Sequence, residues 1–207
     1  MLQINTQVII REASELNIDL LLTHHDSWDF IYGLKESCNR ALKECGITHG
    51  FFHAPLDDAE FGTSASLAKA LGIRNCRKVM PYAEIYYGGV IGDMPAIEFS
   101  SLSNKLTDIL QEEIRCYQNN NKLIQKVAVA AGGGNMTNEM RIAVENGCDT
   151  YITGEYVLYS QQYAEHSGMN LFVGSHTNTE ILGVESMAKL ISKETDIQIV
   201  RLAEPNY

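Results

Sequence analysis

No two cysteines of this chain stand in a C-x-x-C pair. The five present (Cys38, Cys45, Cys76, Cys116 and Cys148) are odd in number and widely scattered, an arrangement that suits neither a disulfide framework nor a zinc ribbon. They read as free thiols of a reducing compartment. Long apolar runs are lacking too, since none approaches the roughly 20 residues that cross a bilayer. The opening MLQINTQVIIREASEL has no basic start followed by an apolar stretch, so no secretory signal is expected and the expected location is cytoplasmic. Basic residues are also scarce. With 16 Lys and Arg against 26 Asp and Glu, the net charge is −10, whereas nucleic-acid binding rests on clustered cations that neutralise phosphates. Neither a nucleic acid nor an anionic membrane is an expected partner. A phosphorylated small molecule stays open, because a bound cation inverts the local field of an acidic site.

Several signatures of known chemistry are missing as well. The glycine run Gly132–Gly134 has neither G-x-G-x-x-G spacing nor a G-K-[ST] ending, and reads as a tight turn rather than a phosphate cradle. There is no G-x-S-x-G elbow and no cysteine in a reactive setting.

What is present is the composition of a globular protein, 45% hydrophobic and 20% charged. A chain of this length buries about 70% of its unfolded surface, so a metal would serve function rather than folding. Apolar runs alternate with stretches of helical period, the pattern of an α/β protein made of strand–helix units. The spacing predicts helices over 7–16, 30–45, 64–71 and 95–118, with strands over 18–23 and 47–54 and a β-rich, glycine-punctuated stretch at 78–92. After the turn NNN at 119–121 come the strand KVAVAA, a helix to Asn146 and the strand CDTYIT. A helix to about His166, the strand LFVGSH, a helix over 179–192 and a closing strand IQIVRL complete the reading. The chain is read as one domain, 1–207, with two lobes, 1–94 plus 171–207 and 95–170.

Polar groups gather at the C-terminal ends of these strands, the edge where open α/β sheets bind ligands. LLLTHH ends in His24 and His25, HAPLDD holds His53, Asp57 and Asp58, TGE holds Glu155, and GSHTNTE holds His176 and Glu180. His176 and Glu180 share a helical face, close enough for a metal to bridge them. His24 and His25 would point to opposite faces of an extended strand, so joint chelation of one ion requires the strand to end there. Two ions would suit diverging imidazoles better. Histidines with carboxylates favour a divalent zinc, iron, manganese, cobalt or nickel. Each signal alone has a plainer reading. Strand-end histidines such as His49 are usually hydrogen-bonded structural residues, Asp57 and Asp58 suit a turn start, and i,i+4 polar pairs are common on helices.

In order along the chain, LLLTHHDSW, HAPLDDAEFGTSASLAKALGI, VAVAAGGGN, GCDTYITGE and GSHTNTEILGVESMAKLI resemble the blocks of the Nif-three-like dinuclear metal-centre family. Its members often carry the name GTP cyclohydrolase 1 type 2 homolog, and the resemblance covers the chain from about Thr6. It implies a two-lobed α/β sandwich with mixed sheets and a metal site in the cleft between lobes. It implies two divalent ions held by His24, His25, Asp57, His176 and Glu180, with Glu180 the bridge and Asp57 a terminal ligand. It also implies a homo-oligomer, in many members a hexameric ring. His53 and Glu155 are candidates for proton shuttle or for support of the ligands. Two departures stand out. The family's HHP is HHD here, so that Asp26 either joins the metal environment or caps the next helix. Relatives also begin upstream, with a helix and a strand carrying W-D-N-x-G-L, so one sheet is expected to be short of a strand. Two functions follow from the resemblance. One is a metal-dependent hydrolase of a nucleotide or related small molecule, with water attacking C8 of the GTP purine. The other is a non-enzymatic metal-binding scaffold or regulator.

Overall fold

Strands β1 (Leu2–Ile4), β2 (Leu20–His25) and β3 (Thr48–Phe51) form a parallel sheet in that order, with β2 central. Helices α1 (Gln7–Glu15) and α2 (Leu34–Cys45) supply its cover. Ile9, Ile10 and Ala13 of α1 pack with Leu21, Cys38, Leu42 and Ile47 in one core, as the helical spacing of these apolar residues requires. A computed structural model describes residues 2–4, 6–82 and 85–202. The chain forms two compact units, Met1–Leu56 with Val184–Tyr207, and Asp57–Gly183. The lobes read from the sequence differ from these units in where residues 57–94 and 171–183 go.

The second unit is built on a six-stranded mixed sheet. Its strands are β4 (Arg74–Tyr82), β5 (Tyr86–Ile97), β6 (Arg115–Tyr117), β7 (Ile124–Ala130), β8 (Thr150–Thr153) and β9 (Asn170–Val173), in the order β4-β5-β7-β8-β9-β6. The central β7, β8 and β9 run parallel, while β4 pairs antiparallel with β5, β5 with β7, and β6 with β9. Both faces are covered, which is why the central strands read as unbroken apolar runs. Val127, Val129, Ile152 and Phe172 face one core with Leu67, Leu102 and Leu106. Ala128, Ala130, Tyr151 and Leu171 face the other with Met140 and Ala164. Neighbours along each strand thus serve opposite cores, the two-residue period of extended chain. The α/β class with mixed sheets is the one the sequence predicts. No helix among the described residues is long and apolar enough to cross a membrane.

Three predicted elements are corrected. The helix expected over 95–118 is the end of β5, then α5 (Phe99–Leu110), then β6. Phe99, Leu102 and Leu106 do keep helical spacing, but Gln111 turns left-handed at φ 55° and ends the helix. Pro95 falls where the β5–β7 register shifts, a place that does not need its missing N–H. The helix expected from residue 30 starts at Leu34, because Gly33 adopts φ 79°, leaving 28–33 as a loop. No strand forms at 197–202, although Val200 and Leu202 pack on the first unit's core.

Candidate metal centre

In the first unit, β2 ends at His25, which is the condition for two adjacent histidines to act together. After β3 the chain turns at Phe52 and brings His53 beside them. The His24 and His25 rings lie 4.5 Å apart, His25 and His53 4.4 Å, and His24 and His53 5.1 Å. Each offers a ring nitrogen within 4.8 Å of the others. His24 is 0% and His25 3% exposed. His24 Nδ1 lies 2.9 Å from the Phe52 carbonyl. A carbonyl only accepts, so Nδ1 carries the proton and Nε2 the lone pair, the tautomer a metal ligand needs. His49 stands apart from the trio. Its Nε2 is 2.8 Å from Thr23 Oγ1, whose hydroxyl donates to the His25 carbonyl at 2.6 Å. Burial lowers the His49 pKa against the opposing pull of Asp26.

Asp26, the departure from HHP, meets neither alternative raised by the sequence. It accepts the Ser27 N–H at 2.8 Å and pairs with Lys35 at 3.0 Å. It is absent from the clustered donors found among the described residues, and the residue at the start of α2 is Gly33.

In the second unit the donors are acidic. Helix α3 (Ala54–Asp58) carries Asp57, whose Oδ1 accepts the Thr63 hydroxyl at 2.7 Å. Helix α8 (His176–Glu194) begins three residues before its predicted start, so His176 and Glu180 occupy its first turns. His176 Nε2 lies 3.3 Å from Glu180 Oε1, and Nδ1 lies 2.7 Å from Glu155 Oε1. Asp57 and Glu180 offer carboxylate oxygens within 4.8 Å of one another. Burial works against the His176 imidazolium, but the hydrogen bonds and charges of Glu180 and Glu155 outweigh it and raise its pKa to about 9. Burial, then the charges of Asp57 and Glu180, push the Tyr82 phenol upward. A cation is what such a field lacks, and with no metal present an imidazolium at His176 supplies it.

The glycine run explains itself here. Gly132 has φ 66°, and a Cβ there would overlap the Glu180 carboxylate, 2.7 Å from its Cδ and 3.1 Å from His176 Nε2. The turn is the floor beneath the donors, and no side chain other than hydrogen fits it. Its N–H donates to Thr179 Oγ1 at 2.9 Å, tying β7 to α8. Glu112 does the same from further off: it accepts the Ser175 N–H at 2.7 Å and the Asn178 side-chain amide at 2.9 Å. Sequence reasoning missed Glu112 and Thr179, which have no local signature. Asp58 is engaged elsewhere, by Lys78 at 2.7 Å and the Tyr87 N–H at 3.1 Å. Beside Glu155 a cavity of about 420 Å³ opens, lined also by Glu113, Arg115, Tyr156 and Gly174.

The residues fit divalent metal on the chemistry of the donors: three imidazole nitrogens on one unit, and two carboxylates with one imidazole on the other. Known proteins resemble this chain over nearly its whole length. The family model Duf34/NIF3 (NGG1p interacting factor 3) matches residues 4–206. The chain is 29% identical over 197 residues to a protein of Haemophilus influenzae named GTP cyclohydrolase 1 type 2 homolog, covering 91% of this chain and 77% of that one. It is 26% identical over 207 residues to the protein of the same name from Escherichia coli strain K12, covering 97% and 81%. Among solved structures, ybgI, a structural-genomics protein titled as of unknown function, shares the fold with a TM-score of 0.87 at 24% identity, covering 99% of this chain and 83% of that one. Reduced HcgD from Methanocaldococcus jannaschii does so at 0.81 and 21% identity, covering 95% and 80%.

Proposed function

The chain belongs to the Duf34/NIF3 family, and from that premise we propose that it is a divalent-metal-dependent hydrolase of a nucleotide or related small molecule. Two ions, of zinc, iron, manganese, cobalt or nickel, would be held by His24, His25, Asp57, His176 and Glu180, with Glu180 shared between them. The observation that carries the reading is the His24–His25–His53 trio, three nitrogen donors gathered at strand ends and within 4.8 Å of each other. Three imidazoles gathered this closely, two of them buried, are more than a strand end needs for its own hydrogen bonds. The same geometry makes His53 a further nitrogen donor as well as a candidate proton carrier.

Bound divalent ions supply Lewis acidity, which makes water acidic enough to attack near neutral pH and polarises the bond to be broken. The chain's own residues do the rest. The Phe52 carbonyl fixes the His24 tautomer at 2.9 Å, and Glu155 does so for His176 at 2.7 Å, leaving Nε2 of each as the ligand atom. Thr63 orients Asp57 at 2.7 Å. Glu155, with its side chain 45% exposed, can pass a proton between His176 and the adjoining cavity. The name of the relatives points to GTP, whose ring opening begins with water at C8. The proposal also includes a homo-oligomer, in the manner of a hexameric ring.

Turnover of GTP and of simple phosphoesters by zinc- or manganese-loaded protein, set against Glu180→Ala, tests the reading. Loss of turnover in the variant is expected, together with a fall from about two bound ions per chain by elemental analysis. Equal conversion by both proteins would leave a metal-binding scaffold as the better description.

A further inference from the structure

Between β2 and α2 the chain exposes what a soluble surface usually hides. Phe30 is 72% exposed, Ile31 47% and Tyr32 98%, three large apolar side chains in a row at one loop tip. Scattered exposed apolar residues are ordinary, but a contiguous patch marks a binding surface. This loop is a built one. The Ile31 N–H bonds the Trp28 carbonyl at 3.2 Å and the Leu34 N–H bonds that of Ile31 at 3.0 Å. Lys35 clamps the base of the loop through Asp26 at 3.0 Å and Asp29 at 3.1 Å. The apolar tip is therefore held out by hydrogen bonds and ion pairs beneath it.

From the donor trio outward the rings form a stair. The His25 centroid lies 4.6 Å from that of Trp28, and Trp28 lies 5.3 Å from Phe30 with the two planes 25° apart. We infer that the Trp28–Phe30 step receives the planar heteroaromatic ring of a small-molecule substrate, a nucleobase in chemical class, and so selects ring-bearing phosphates over ring-free ones. The inference rests on the reading of the histidine trio as part of a substrate-processing site. Stacked at this spacing, the two rings cover each other's facing sides, so the surface left for a base is the outward face of Phe30, braced from beneath by Trp28. Other occupants fit less well. A tip of three side chains is far smaller than the roughly 800 Å² per partner of a stable protein interface, and a net charge of −10 opposes an anionic membrane.

The chain has one tryptophan, Trp28, so tryptophan emission, excited selectively apart from that of its 10 tyrosines, reports on this step alone. Zinc-loaded and metal-free full-length protein would be titrated with guanosine, ribose 5-phosphate and inorganic triphosphate. Guanosine is expected to quench Trp28 to saturation, whereas the two ring-free ligands leave it unchanged. Phe30→Ala should weaken guanosine binding about ten-fold, and Phe30→Leu, apolar but without a π-face, should fail to restore it. Zinc content equal to that of the parent protein would show that the fold and donors survive in both variants. Equal quenching in the parent and Phe30→Ala, or no quenching by guanosine, overturns the proposal. So does an emission shift driven by protein concentration alone, which would assign the step to a second copy of the chain. Guanosine quenching without any turnover would instead sink the hydrolase reading and leave the stacking step standing.

Discussion

The two sets of donors solve the same problem in opposite ways. His24, His25 and His53 are imidazole donors set at strand ends, and a backbone carbonyl fixes the tautomer of His24. Asp57, His176 and Glu180 are mostly charged, and what fixes them is other side chains: Thr63, Glu155 and the turn at Gly132. The trio itself contains no carboxylates to repel one another. Two carboxylates within 4.8 Å of one another repel unless something positive stands among them. The first set is thus preformed, whereas the second depends on a nearby positive charge and on pH.

The largest effect that tests this contrast is expected at Gly132. Gly132→Ala places a Cβ on the Glu180 carboxylate at a residue with φ 66°, where strain and overlap together cost about 2 kcal/mol or more. Elemental analysis after reconstitution should find bound metal reduced, while in the metal-free protein the ring proton signals of His24 and His25 match those of the metal-free parent. Movement of those metal-free signals would mean that the two sets do not differ in this way.

Next in size is Glu155→Gln, which removes the carboxylate from His176 Nδ1 while keeping its shape. Loss of such a supporting carboxylate lowers metal affinity by about 10- to 100-fold, measurable by competition with a zinc chelator. In the first set the support shown for His24 is the Phe52 carbonyl, which no side-chain substitution removes.

The smallest effect is the response of the metal-free protein to pH, and here the units should differ in sign. The folded-state pKa of His176, at about 9, lies above the ordinary value of 6.5. Its pairing with Glu180 and Glu155 therefore stabilises the fold fully below pH 6.5, and the contribution is lost as pH rises through 9. The loss is on the order of 2 kcal/mol after allowance for solvent. His49 is lowered by burial, so its effect runs the other way: stability falls as pH drops below 6.5. Hydrogen exchange followed by unit should show the second unit loosening at alkaline pH and the first at acid pH. Saturating zinc should remove the alkaline effect, because the ion replaces the proton.

This contrast also shows what was legible in the sequence. Residues whose meaning is local were readable: the apolar run that breaks into His24 and His25, the i,i+4 step from His176 to Glu180, and the alternation in KVAVA. Residues whose meaning depends on distant neighbours were not. Glu112 reaches Ser175 and Asn178 across a long stretch of chain, and nothing around it says so. The glycine run was read as a turn, but why Gly132 tolerates no side chain depends on α8 arriving above it. The helix expected over 95–118 failed for a related reason. Arg115–Tyr117 becomes a strand because β9 offers it an edge, and tertiary pairing overrides local propensity. That His53 stands beside His24 and His25 depends on the pairing of Thr23 with Phe51, which no spacing rule contains.

The abrupt end of β2 at His25 has a consequence for how such a protein can diversify. Up to that residue the strand is held in register, by β3 along Leu20–Thr23 and by β1 at Thr23 and His25, so an insertion would turn every later side chain over. One residue further on, the chain is free to lengthen, shorten or change its aromatic content at little cost to the sheet. Rigid donors and an editable lip therefore adjoin along the backbone. Evolution or an engineer can rewrite the lip while leaving the donors untouched.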